Sequence, residues 1–167
     1  MIDPVLCRRS IRKFKKNPID NAQVKRLLTA AMCAPSAEDE RPWHFIVVRD
    51  NPVKNDLAEA WPLAHIVNDA AVAIVVCGDE SLQKVQNCWM LDCAAATENL
   101  LVEAQYIGLG AVWLGLYPVE GRIQRVRDIL GAPRSVIPFS IIPIGIPDES
   151  KEPLSRYDER KIHNQKW

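Results

Sequence analysis

Three guanidinium groups and a hydroxyl fall within five residues near the start of the chain, at Arg8, Arg9, Ser10 and Arg12. Such a set suits a phosphate, because a planar guanidinium pairs with two phosphate oxygens at once. The same run, continued by Lys13, Lys15 and Lys16, also reads as a solvated basic face or tail, the commoner fate of a charge cluster. A second candidate is the polar loop 34–44, where Pro35 and Ser36 lead through Trp43 and His44 into an apolar strand. Loops held by a rigid scaffold often carry function. His44 could move a proton there, or the Trp43–His44 pair could simply cap the strand. The third is Gly108-Leu109-Gly110-Ala111-Val112-Trp113-Leu114-Gly115. It superficially resembles a dinucleotide-binding loop, but that fingerprint follows a strand and opens a helix, and this one does the reverse. Its glycines read better as a helix stop and, at Gly115, as a place where backbone approaches a neighbour or ligand closely.

Other chemistries lack their residues. There is no G-x-S-x-G elbow, P-loop, H-E-x-x-H pair or EF-hand loop. Asp92, Glu98 and Glu103 share one helical segment without histidines at ligand spacing, so a di-metal site is not expected. The five cysteines, Cys7, Cys33, Cys77, Cys88 and Cys93, are odd in number and form no CxxC pair, which suggests neither a disulfide framework nor a zinc or iron–sulfur centre. Reduced thiols point to a cytoplasmic protein. Any redox chemistry would then ride on a bound organic cofactor or a partner. Lys plus Arg and Asp plus Glu each total 21, and this zero net charge argues against nucleic acid as the main partner. No apolar run nears the ~20 residues of a membrane span, and Met1-Ile2-Asp3-Pro4 is unlike a signal peptide. No membrane association is expected.

The elements that must position these residues follow from periodicity. Asp20 with Gln23 makes a capping-box pattern, and Val24, Leu27, Leu28 and Ala31 continue it as a helix that stops before Pro35. Strands are expected at Phe45–Val48, Val72–Cys77 and Ala111–Leu114, with a short helix over 53–61 and a longer one over 119–130 that ends at Gly131. Residues 88–108 should form the longest helix. Apolar side chains on most of its faces mark it as the central, buried one. Ile141–Gly145 reads as a fourth strand, and its proline suggests an edge or irregular position. The polar stretch from Asp148 to Trp167 has little to bury in its own domain, so its apolar end suits a partner subunit. The 167 residues fit one domain of mixed α and β elements.

Taken in order, these segments resemble the FMN-dependent nitroreductase family over nearly the whole chain. The resemblance rests on Arg8-Arg9-Ser10-Ile11-Arg12-Lys13-Phe14, on Ala34-Pro35-Ser36-Ala37 with Arg41-Pro42-Trp43-His44-Phe45-Ile46-Val47-Val48, and on Asp92 to Leu101 running into Gly108 to Trp113. Ile142-Pro143-Ile144-Gly145 and Arg156-Tyr157 complete it. It implies an α+β fold, with a mainly antiparallel central sheet flanked by helices, built as an intertwined homodimer with FMN sites at the interface. Arg8, Arg9, Ser10 and Arg12 would hold the FMN phosphate and the pyrimidine side of the ring, with Arg156 helping at the phosphate. Pro35, Ser36 and Ala37 of the other subunit would line the isoalloxazine, with Asp39 near its edge, and Leu114 and Gly115 would bring backbone close. The implied activity is ping-pong electron transfer from NADH or NADPH through flavin N5 to small acceptors such as nitroaromatics or quinones. Reductive dehalogenation, flavin or enoyl chemistry, or flavin binding without turnover are the alternatives.

Two departures stand out. Asp39 and Arg41 occupy positions where the family often has Asn and Gln, and a carboxylate there would disfavour an anionic reduced flavin unless Arg41 offsets it. Only about ten residues, Gly78 to Asn87, stand where larger members carry a helical excursion, so a small lid and an open pocket are expected.

Overall fold

The eight-residue strand Val72–Asp79 shows how the chain is layered. Its side chains alternate between two separate apolar clusters, Val72, Ile74 and Val76 entering one, and Ala73, Val75 and Cys77 the other. A strand buried on both faces has no polar side, and this one reads as a continuous apolar run. The computed structural model describes residues 3–167. Met1 and Ile2, half of the tetrapeptide considered as a signal sequence, lie outside the described residues.

In chain order the elements are α1 (Pro4–Cys7), α2 (Asn21–Met32), β1 (Trp43–Val48), α3 (Asn51–Ala58), α4 (Ile66–Asp69), β2 (Val72–Asp79), α5 (Trp89–Tyr106), β3 (Gly110–Ala111), β4 (Leu114–Gly115), α6 (Glu120–Leu130) and β5 (Val136–Gly145). The sheet runs β1-β2-β5-β3, with β4 also on β5, and every paired strand is antiparallel. Val24, Leu27 and Ala31 of α2 and Cys93, Ala96, Leu100 and Ala104 of α5 cover one face. Leu57 of α3, Val67 of α4 and Ile123 and Val126 of α6 cover the other. This is the α+β architecture expected, an antiparallel sheet between helical layers.

Local signals placed α2 well. Asp20 accepts from Gln23 N at 2.7 Å while the Gln23 side chain accepts from Asp20 N at 3.0 Å, so both halves of the capping box form. The long helix is shorter than expected by a residue or two at each end. Its Leu91 and Tyr106 are exposed, so it is central but not buried all round. The strand expected from Phe45 begins at Trp43, because Trp43 and His44 pair with Gly78 and Cys77. The short helix expected over 53–61 starts earlier, with Pro52 in its first turn, where no N–H is missed.

The fourth strand overturns the edge position and keeps the irregular one: β5 lies in the middle of the sheet, between β2 and the β3/β4 pair, is ten residues long and carries a register shift. Its prolines sit where the pairing lapses. Pro143 accepts from Val112 N at 3.4 Å but has no N–H to return on that side. The neighbouring strand accordingly splits into β3 and β4 on either side of Val112 and Trp113, in one register. Pro138 falls at the register shift opposite Val76 and Cys77, a bulge that tolerates it.

Candidate functional site

The basic run is pinned to the far edge of the sheet by its two apolar residues. Asp3 caps α1 by accepting from Val5 N and Leu6 N, and the chain leaves that turn at Arg8. Ser10 then bridges Ala111, and Ile11 N donates to the Ala111 carbonyl at 3.0 Å. Ile11 and Phe14 are buried. Room for Ile11 depends on Gly110, where a Cβ would come within 2.6 Å of the Ile11 side chain. With these anchored, Arg8, Arg9, Ser10 and Arg12 line a cavity of about 230 Å3 together with Lys151 and Arg156.

Five cations and a hydroxyl therefore surround one small space, and no carboxylate is among its lining residues. The surrounding acids fix the frame. Glu98 accepts from Arg8 Nε at 2.9 Å, and the Arg9 guanidinium donates to the Glu152 carbonyl. Glu149 accepts from Arg12 N at 2.5 Å and Lys13 N at 3.3 Å. Lys151 Nζ lies 3.2 Å from Glu149 and donates to the Ser10 carbonyl at 2.6 Å. The Arg12 N–H, and after it Lys151, hold the Glu149 carboxyl below its ordinary value. Lys151 escaped the sequence reading. It stands in a polar tail 141 residues from Ser10, with no local pattern to single it out.

The second segment is organised by buried acids. Asp92, near the start of α5, accepts from Ser36 Oγ at 2.7 Å and from Ala37 N at 3.2 Å, and Ser36 Oγ in turn accepts from Arg41 N at 2.8 Å. Glu40 is buried and accepts from Lys84 N at 2.6 Å and Val85 N at 3.0 Å, so the short 78–87 connection is clamped onto this loop. Between these anchors Glu38, Asp39 and Arg41 adopt φ of 46, 53 and 45°, a left-handed conformation unusual for non-glycine residues. Strain of about 1–3 kcal/mol per such residue persists only where the surroundings impose it. Asp39 is held ionised mainly by its bidentate pair with Arg41. Neither Asp92 nor Glu40 was singled out as an anchor. The only hint was Asp92's acidity in an otherwise apolar helical stretch; Glu40, in a polar loop, gave none.

Leu114 and Gly115 form β4, paired with Ile141 and Ser140. A Cβ built on Gly115 meets nothing within 4 Å, so the space above it is open, while Arg122 donates to its carbonyl at 3.1 Å. Within one chain the expected site stays divided: none of Pro35, Ser36, Ala37, Asp39, Leu114 or Gly115 borders the basic cavity. His44 is exposed on the edge strand β1, 3.7 Å from Asp79, and does not join the basic cluster. Burial pushes the Cys77 thiol up to about 12 and raises Cys93 as well, so both act as core residues rather than nucleophiles.

The sequence model of the nitroreductase family matches residues 5–71 and 60–146, and the chain belongs to that family. A protein of Methanothermobacter thermautotrophicus, provisionally named an NADH dehydrogenase/NAD(P)H nitroreductase, is 44% identical over 167 residues, covering all of this chain and 87% of the relative. A crystal structure from Parabacteroides distasonis, given the same provisional name, superposes with a TM-score of 0.94 at 41% identity, over 98% of this chain and 96% of the other. An FMN-dependent nitroreductase from Clostridium difficile gives 0.91 at 28% identity, with both chains fully covered.

Proposed function

We propose that this chain binds FMN and works as an oxidoreductase that takes electrons from NADH or NADPH and delivers them to small acceptors such as nitroaromatics or quinones. The observation that carries the reading is the basic cavity. Three arginines of one short run, a serine, Lys151 and Arg156 converge there without a competing carboxylate in the lining. That donor set fits a phosphate monoester, and the open space over Gly115 fits a flat ring brought close to backbone. FMN combines both. Held by Arg8, Arg9, Ser10, Arg12 and Arg156, FMN would supply the redox chemistry between a nicotinamide donor and an acceptor.

The protein's own work is binding and positioning. Arg8, Arg9, Ser10, Arg12 and Arg156 hold the phosphate, with Lys151 fixing the Ser10 carbonyl and adding charge. Buried Asp92 sets Ser36 and Ala37, and the Asp39–Arg41 pair keeps that loop's outer edge close to neutral. A positioned, largely prebuilt set of donors gains affinity because little ordering remains at the moment of binding. With only the short 78–87 connection beside it, the site is open enough for donor and acceptor to use it in turn, the ping-pong order.

The segments of the divided site come together in a homodimer, in which Pro35, Ser36 and Ala37 of one subunit face the basic cavity of the other. The exposed tail favours this reading, since Leu154, Tyr157, Ile162 and Trp167 are all exposed large apolar side chains. The test is the visible spectrum of the purified, untagged protein, followed by NADH or NADPH without oxygen. A flavin spectrum that bleaches supports the proposal. A colourless protein that cannot take up added FMN overturns it.

A further inference from the structure

A second basic cavity, larger than the first, lies elsewhere on the molecule. It measures about 610 Å3 and shares no lining residue with the cluster around Arg8 and Arg12. Lys15 and Lys16 enter it from the N-terminal segment, Arg49 from the end of β1, Lys54 from α3, and Asp69 and Ala70 from the stretch before β2. Four cations thus face a single carboxylate, and Asp69 is already engaged by Lys16 at 2.8 Å.

Lys54 makes this more than a charged surface. It is more than nine-tenths buried, and the one hydrogen bond its ammonium makes among the described residues goes to the Ala70 carbonyl at 2.9 Å. A buried ammonium is ordinarily paired, because burying a charge costs several kcal/mol unless an opposite charge and full hydrogen bonding offset it. Burial and then the Lys16 charge lower its pKa, with Asp69 only partly opposing them. Arg49 is tied to the Ile19 and Asp20 carbonyls and to Asn21, which fixes its guanidinium in place as a charge on the cavity wall.

We propose that this cavity is an anion site for a small polyphosphate, with Lys54 as its buried anchor and Lys15 and Lys16 as its outer clamp. The charge excess suits a diphosphate group better than a single carboxylate. None of the lining residues is aromatic, so a nucleoside base would find no ring to stack on.

Calorimetric titration of the full chain in excess FMN, with inorganic pyrophosphate as the probe, tests this. Saturable binding is expected, weakening as salt rises. Lys54→Met, which keeps the buried stem, should bind about tenfold more weakly, the worth of one charge-assisted hydrogen bond. The exposed Lys15→Glu, which carries little folding risk, should also weaken binding, while Arg12→Ala should leave it unchanged. Equal affinity for ADP would assign recognition to the phosphates alone, and tighter ADP binding would extend the same site to a nucleotide. No saturable heat, or binding lost in Arg12→Ala but kept in Lys54→Met and Lys15→Glu, overturns the proposal.

Discussion

The segment 8–12 and the loop 35–41 treat their polar atoms in opposite ways. In the first, apolar Ile11 and the following Phe14 take the anchoring role, and Arg8, Arg9 and Arg12 beside them line a cavity. In the second, charge itself is the anchor. Asp92 and Glu40 are buried; Asp92 receives Ser36 Oγ and Ala37 N of the loop, and Glu40 Oε2 receives Lys84 N and Val85 N of the neighbouring connection. Donors held at the edge of a cavity are available to a ligand. Acceptors spent on neighbouring backbone shape a loop and have little left to bind with.

The sharpest way to break this contrast is to remove the buried acid. Asp92→Ala leaves Ser36 Oγ and Ala37 N without their acceptor and should cost about 2–3 kcal/mol of stability, read by urea unfolding. Asp92→Asn, which retains an acceptor, should cost less. If Asp92→Ala unfolds at the wild-type midpoint, the acid is not the anchor. On the other side, Arg12→Ala should weaken FMN binding by about tenfold, read by flavin fluorescence, with the unfolding midpoint unchanged because the side chain is exposed. An unchanged flavin affinity would remove Arg12 from the site.

Between the two lies Gly115→Val. Since its Cβ position is open, the variant should fold normally yet bind FMN several-fold more weakly; flavin affinity equal to wild type would mean that no ring approaches there. A smaller effect concerns acid. Glu149 has its folded pKa below the ordinary 4.5, so its contribution is present above 4.5 and is lost as pH falls through the folded value. Glu149→Gln should flatten the acid limb of the stability profile. An acid limb as steep as wild type would show that its bonds to Arg12 N and Lys13 N do not depend on charge. The smallest effect is expected for Asp39→Asn, whose exposed pair with Arg41 should leave the unfolding midpoint essentially where it was.

Several of these roles were legible before the fold was known. The Asp20–Gln23 cap, the long helix and the grouping of Arg8, Arg9, Ser10 and Arg12 each depend on residues three or four apart. Contacts of that range repeat whenever the same pattern occurs. The family motifs carried further, singling out Arg156, which lines the same cavity as the N-terminal arginines. Of the edge or irregular position expected for Ile141–Gly145, the strand is irregular but central, because a proline's missing N–H constrains only one neighbour on one side and the fold places a gap there.

What the sequence determined by itself is thus the short-range part: which segments are helical, which run is basic, and to which family the whole belongs. Tertiary structure alone decided that Lys151 meets Ser10, that Asp92 holds Ser36 across 56 residues, and that Lys54 lies buried beside Ala70 in a basic cavity. Those meetings depend on how sheet and helices pack, a long-range balance of burial against chain entropy that no local spacing encodes.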